Sequence, residues 1–170
     1  MQEYFNSLQD NETWELVSLP SKRKLVQCKW VYTNKVSPDG YDVKYNSILV
    51  SKWFSQVQWV EYIETFAPVT NMDSIRLVLV IVASKRWEVH HMDVKSAFIH
   101  GEIKEEIYMQ KPEFFEEDPS LVCRLKNSLY GLKQAPKTWY AKMDNCLLSL
   151  GFDKYKFDPN VYLQRVGDVL

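Results

Sequence analysis

The chain has 170 residues, 46% of them hydrophobic and 25% charged, enough to close one sizeable core and short for two independent ones. A net charge of -1 excludes a uniformly basic nucleic-acid coat, and the aromatic content with little Pro and Gly excludes a disordered chain. The longest apolar run, Leu77 to Ala83, has seven residues against the roughly 18 that span a bilayer, so no membrane-crossing segment is expected.

The first hundred residues read mainly as strands. Val26 to Val36 is rich in β-branched and aromatic residues and ends in Ser-Pro-Asp-Gly (37 to 40), and Val43 to Phe54 reads as the returning strand of a β-hairpin. Asp73 is placed to cap a helix from Ser74 to about Arg86, apolar nearly all round and therefore expected to be buried, with Lys85 and Arg86 complementing its dipole. Trp87 to Asp93 follows as a short strand arriving at an acid. Glu106 to Met109 and Leu121 to Leu125 read as a second pair of short strands around an acidic, Pro-punctuated loop. Pro136 suits the first turn of a helix in which Trp139, Tyr140, Met143, Leu147 and Leu150 repeat at helical spacing, and Gly151 supplies its stop. Asp158 to Arg165 reads as a closing strand. Strands and helices mix without a regular βαβ alternation, so the fold class is α+β.

Charge is blocky along this order. Leu19 to Gln56 carries a balance of +5, Glu102 to Asp118 one of -5, and Arg124 to Lys142 holds Arg124, Lys126, Lys133, Lys137 and Lys142 with no acid. Aromatic residues interleave with both basic stretches, a pattern that suits a polyanion groove but more commonly marks two solvated surfaces. Cys28, Cys123 and Cys146 lack any CxxC spacing, which points to neither a disulfide framework nor a zinc site. The chain opens on no signal peptide, so a soluble, intracellular protein, cytoplasmic or nuclear, is expected. Five glycines stand where average usage of about 7% predicts roughly twelve, so bulky residues are expected at turns that usually take glycine.

Among residues able to carry chemistry, Asp93 ends an apolar stretch and precedes Val94-Lys-Ser-Ala-Phe98. An acid in that position can hold a divalent ion together with a neighbouring carbonyl, although an Asp there more commonly serves a turn or cap. His90 and His91 beside it lack a third soft ligand at a customary spacing. No P-loop, GxGxxG, GxSxG or HExxH occurs.

Trp14-Glu-Leu-Val, Lys29-Trp-Val-Tyr, Glu64-Thr-Phe-Ala-Pro-Val69, Met92-Asp-Val-Lys-Ser-Ala-Phe98, Ile107-Tyr-Met-Gln110, Ser128-Leu-Tyr-Gly-Leu-Lys-Gln-Ala-Pro136 and Trp139-Tyr140 resemble, in order and spacing, the reverse transcriptase of copia-type LTR retrotransposons. The resemblance runs from Trp14 to Tyr162, leaving residues 1–13 as an N-terminal extension and 14–170 as the domain. It implies a right-hand polymerase, with fingers from the basic hairpin and a partial palm around Asp93. Asp93 resembles the first catalytic aspartate, and the Val94 carbonyl a further ligand to Mg²⁺ or Mn²⁺. Phe98 falls at the steric-gate position, where a bulky ring collides with a ribose 2′ hydroxyl. Tyr130, Gly131 and Lys133 fall in the segment that packs on incoming nucleotide and template, and Lys44 and Lys52 on the strand that faces the triphosphate. The implied partners are an RNA/DNA primer-template and a deoxynucleoside triphosphate.

The chain departs from the family pattern in three places. Asn46 and Ile48 stand where the family carries Lys and Arg, removing a bidentate triphosphate clamp. Trp53, Trp59 and Phe114 stand at family glycine positions. The final Gly167-Asp-Val-Leu170 precedes the position of the family's Tyr-x-Asp-Asp hairpin, and the 170 residues contain no Asp-Asp pair. Two-ion phosphoryl transfer needs carboxylates from both palm segments, so weak metal binding and no polymerisation by these 170 residues alone are expected. The alternative is a noncatalytic nucleic-acid-binding module derived from a retroelement.

Overall fold

The computed structural model describes residues 2–36, 43–52, 54, 56, 61–113, 115 and 118–165. Helix α1 (Gln2–Asp10) leads into strand β1 (Trp14–Ser18), then the long strands β2 (Cys28–Val36) and β3 (Val43–Ser51), helix α2 (Met72–Lys85), short strand β4 (Tyr108–Met109), strand β5 (Leu121–Leu125), helix α3 (Ala135–Ser149), and the two-residue strands β6 (Asp153–Lys154) and β7 (Tyr162–Leu163). The mixture of helices and strands is α+β, as the sequence pattern implies.

Three antiparallel strands in the order β1, β5, β4 form the central sheet, in register from Trp14 opposite Leu125 to Ser18 opposite Leu121. The hairpin pairs β2 with β3 from Cys28 opposite Ser51 to Val36 opposite Val43. Only its base enters the core: Trp30 and Leu49 face each other there, while Tyr32, Val36, Val43 and Tyr45 stand exposed. Val26 welds hairpin to sheet, its N–H donating to the Tyr108 carbonyl at 2.8 Å and its carbonyl accepting from the Gln110 N–H at 2.9 Å. The core gathers Leu8 of α1, Val26, Trp30, Leu49, Ile107, Met109, Cys123, Leu125, Leu129 and Leu132.

Helix α1 lies within residues 1–13. Its Tyr4, Phe5 and Leu8 share one face by their spacing, and Leu8 is buried. The three α-helices among the described residues end in the same way. Thr13 donates back to Leu8, Trp87 to Val82 and Phe152 to Leu147, each with a left-handed residue just before it. That residue is Gly151 after α3, but Glu12 after α1 and Arg86 after α2. Lys22 and Ser96 also take positive φ, so among the described residues four non-glycine positions occupy a region that glycine fills without strain. Bulky residues at glycine-type turns are therefore present, while the specific candidates Trp53, Trp59 and Phe114 lie outside the described residues.

Several sequence expectations need correction. The cap of α2 is Asn71, whose side chain accepts from the Asp73 N–H at 2.9 Å, not Asp73 itself. The helix is not buried: Leu77 to Ile81 are between 41% and 66% exposed. Capping and propensity form a helix locally, but burying it needs a second surface, and among the described residues none covers it. Trp87 to Asp93 is irregular rather than a strand, because no described strand runs beside it to pair. The first hundred residues hold α1 and α2 as well as three strands. The returning hairpin strand ends at Ser51, and the closing strand shrinks to Tyr162–Leu163. The hairpin turn at 37–40 lies outside the described residues.

Candidate nucleotide and primer-template site

The site is organised by the way segment 128–134 lies against the end of β3. Leu129 and Leu132 are buried on either side of Tyr130 and Gly131, which fixes the segment from within. The Ser51 N–H donates to the Tyr130 carbonyl at 2.7 Å, and Tyr130 forms an isolated parallel bridge with Val50. Gly131 follows at φ +86°, and a β-carbon there would sit 2.0 Å from the Ser51 carbonyl oxygen. No other residue type permits this approach.

That fit aims the Tyr130 ring at Phe98, with ring centroids 4.7 Å apart and planes at 61°. Phe98 rides on a 3-10 turn, Ala97–His100, opened by the left-handed Ser96 and anchored by the buried Ile99. Asp93 and Val94 precede that turn and are exposed. Partial burial, and next the negative charge of Asp93, push the Tyr130 hydroxyl above the ordinary phenol range. Asp93, Phe98, Tyr130 and Gly131 thus share one corner of the molecule.

The basic candidates are distributed around it. Lys52 leaves the end of β3, its ammonium donating to the Gln27 side-chain carbonyl at 3.1 Å. Lys133 donates its backbone N–H to Gln56 at 2.9 Å, and its ammonium lies 2.6 Å from the Tyr62 hydroxyl and 4.3 Å from the centre of that ring. Lys44 stands seven residues before Ser51, roughly 24 Å up the hairpin, where its backbone pairs with Lys35. Asn46 and Ile48 lie between them, opposite Thr33 and Val31.

Three contributions have no signature in the linear pattern. Gln56 and Gln134 are buried amides that hydrogen-bond at 3.1 Å, and Gln134 also donates to the Glu61 carbonyl at 2.8 Å, tying segment 61–64 to the start of α3. From α1, Glu3 pairs with Lys95 beside Asp93, and the Tyr4 ring stands edge-on to Trp30 at 6.3 Å. Burial, and then Tyr130, raise the Tyr4 hydroxyl well above its usual range.

The described residues do not by themselves make a two-ion centre. Asp93 and the Val94 carbonyl offer two donors, Mg²⁺ asks for six oxygens in near-ideal geometry, and no group of three His, Cys, Asp or Glu stands together among the described residues. His90 instead faces Glu88 at 3.5 Å on the surface. Asp168 lies outside the described residues. No helix among the described residues is long and apolar enough to cross a membrane.

The family model for reverse transcriptase (RNA-dependent DNA polymerase) matches residues 11–169, and the chain belongs to that family. It is 45% identical over 170 residues to the retrovirus-related Pol polyprotein from transposon TNT 1-94 of Nicotiana tabacum, covering 99% of this chain and 13% of that polyprotein. It is 39% identical over 160 residues to the Pol polyprotein from transposon RE1 of Arabidopsis thaliana, covering 92% of this chain and 11% of that one. The Ty1-BL Gag-Pol polyprotein of Saccharomyces cerevisiae is 35% identical over 77 residues, or 45% of this chain and 4% of the polyprotein. The chain is thus a copia-type reverse transcriptase sequence that spans about an eighth of the first relative's length and a ninth of the second's. No solved structure matches it.

Proposed function

We propose that these 170 residues are the fingers and partial palm of a retrotransposon polymerase, with 1–13 as an N-terminal extension, and that they bind nucleic acid without polymerising alone. The observation that carries this reading is the juxtaposition of Asp93, Phe98, Tyr130 and Gly131 at the base of the hairpin, with no group of three His, Cys, Asp or Glu among the described residues to hold an ion. In this reading Asp93 is the first catalytic aspartate and, with the Val94 carbonyl, an incomplete ligand set for Mg²⁺ or Mn²⁺. Phe98 is the ring that excludes a ribose 2′ hydroxyl, braced from the side by Tyr130. Tyr130, Gly131 and Lys133 line the nucleotide and template side, and Lys44 and Lys52 serve the triphosphate. Asn46 and Ile48 weaken that last role, since neither offers the charge of the family's Lys and Arg.

Two measurements test the proposal. Incubated with a primed RNA template, deoxynucleotides and Mg²⁺ or Mn²⁺, the chain is expected to give no extension, and measurable product overturns the claim of inactivity. Titrated against labelled primer-template, it is expected to bind at low salt with an affinity that falls steeply with salt, reflecting several phosphate contacts. Absence of binding at low salt removes the nucleic-acid reading altogether.

A further inference from the structure

We propose that Lys133 and Lys137 form a phosphate-backbone site for nucleic acid that segment 61–64 holds closed, with Tyr62 and Glu64 standing in for phosphate oxygens. The inference rests on the nucleic-acid reading above and adds a built-in competitor to it.

Both lysines belong to the stretch from Arg124 to Lys142 that contains no acid, so every acidic partner must come from elsewhere in the chain. Two kinds of partner are found. Arg124 meets Glu15 at 3.1 Å, and Lys126 lies 3.6 Å from Glu15 and 3.8 Å from Glu12. Glu15 sits in β1, directly opposite Arg124 in the ladder with β5, so its backbone is fixed beside its partner by the sheet. Lys133 and Lys137 are held differently. The Tyr62 hydroxyl lies 2.6 Å from the Lys133 ammonium, and a Glu64 carboxylate oxygen lies 2.5 Å from that of Lys137.

Segment 61–64 lies outside the named strands and helices, with Tyr62 in an isolated β-bridge. It is fastened at one end, where Glu61 is buried and its carbonyl accepts from Gln134. Beyond that anchor the groups covering the lysines reach outward, and Glu64 is exposed. The result is a strap with a fixed root and a releasable tip. An exposed ion pair of this kind is weak, so closing the site should lower polynucleotide affinity by no more than about fivefold, while phosphates that take both lysines gain counterion release.

Any lost acid near a polyanion site tightens binding somewhat, so the test must separate pairing from net charge. Glu64, Lys137 and Glu105 border one open cleft of about 670 Å³, which makes Glu105→Gln the charge-matched control. Affinity for a labelled single-stranded DNA is measured by fluorescence anisotropy at low salt for the 170-residue chain and for Glu64→Gln, Glu105→Gln, Lys137→Gln and the Glu64→Gln/Lys137→Gln double variant. Circular dichroism checks that each is folded.

Glu64→Gln is expected to tighten binding two- to fivefold and Glu105→Gln by clearly less, with the Glu64→Gln gain vanishing once Lys137 is neutralised. Equal gains from both acids, or a gain that survives Lys137→Gln, overturn the inference and leave the nucleic-acid reading intact. No binding by either the original chain or Glu64→Gln removes both.

Discussion

Gly131 and Ser51 approach so closely that a β-carbon on the glycine would lie 2.0 Å from the serine carbonyl oxygen and 2.7 Å from a Val50 methyl. The same backbone contact carries Tyr130 to Phe98, so the site depends on one missing side chain.

Gly131→Ala should therefore cost about 3 kcal/mol or more, combining left-handed strain with a clash against backbone that cannot yield. Gly151 is the matched comparison. It has nearly the same φ, +84°, but its nearest neighbour is the end of the Gln164 side chain at 3.4 Å. Gly151→Ala should cost only the strain, about 1 kcal/mol. Urea unfolding midpoints for the two variants check the difference, and equal losses would show that the Ser51 contact is not what constrains residue 131.

The ends of α2 predict changes of opposite sign. Arg86 occupies the left-handed position after the helix at φ 53°, so Arg86→Gly should raise stability by about 0.5–1 kcal/mol. Asn71→Ala removes the acceptor for the Asp73 N–H and should lower it by about 1 kcal/mol. Thermal melts of both variants decide the point.

The three thiols should react very differently. Burial, then Glu113, push the Cys28 thiol up to about 11, and burial, then Cys28, push Cys123 up to about 12. Cys146 is exposed on α3. At pH 8 a disulfide reagent should modify Cys146 rapidly, the half-buried Cys28 slowly and the buried Cys123 slowest, with Cys146→Ser abolishing the fast phase.

Acid should loosen the C-terminal part of the chain. The Ser74 side chain, then the Asn160 N–H, hold Asp158 below its ordinary range. For Asp144, burial works the other way, yet hydrogen bonds from Lys154 and Tyr162 still leave it lowered. A carboxyl lowered by folding contributes stability that is complete above its unfolded value near 4 and is lost as pH falls through the folded value. Urea midpoints should drop from about pH 5 downward, and a variant with both Asp144→Asn and Asp158→Asn should lose part of that slope.

Much of the local structure was legible. The β-branched run from Val26 and the returning run from Val43 pair as a hairpin because alternation and side-chain shape act over neighbouring residues. Pro136, the helical spacing of Trp139 to Leu150 and Gly151 delimit α3 for the same reason. Helix α1 was missed because nine residues with three apolar positions are too short a signal. The cap of α2 was misplaced by two residues because Asn71 and Asp73 are both able to accept there.

The sequence by itself determined the family, the α+β class, the hairpin and the candidate residues, since each depends on residue identity and spacing within a few positions. Only the tertiary structure decided that Tyr130 braces Phe98, that Tyr62 and Glu64 cover Lys133 and Lys137, and that α2 stands uncovered among the described residues. Those relationships join positions from about 30 to more than 70 residues apart, or depend on whether a second surface is there to pack. They are set by how distant segments close on a shared core, which no local pattern encodes.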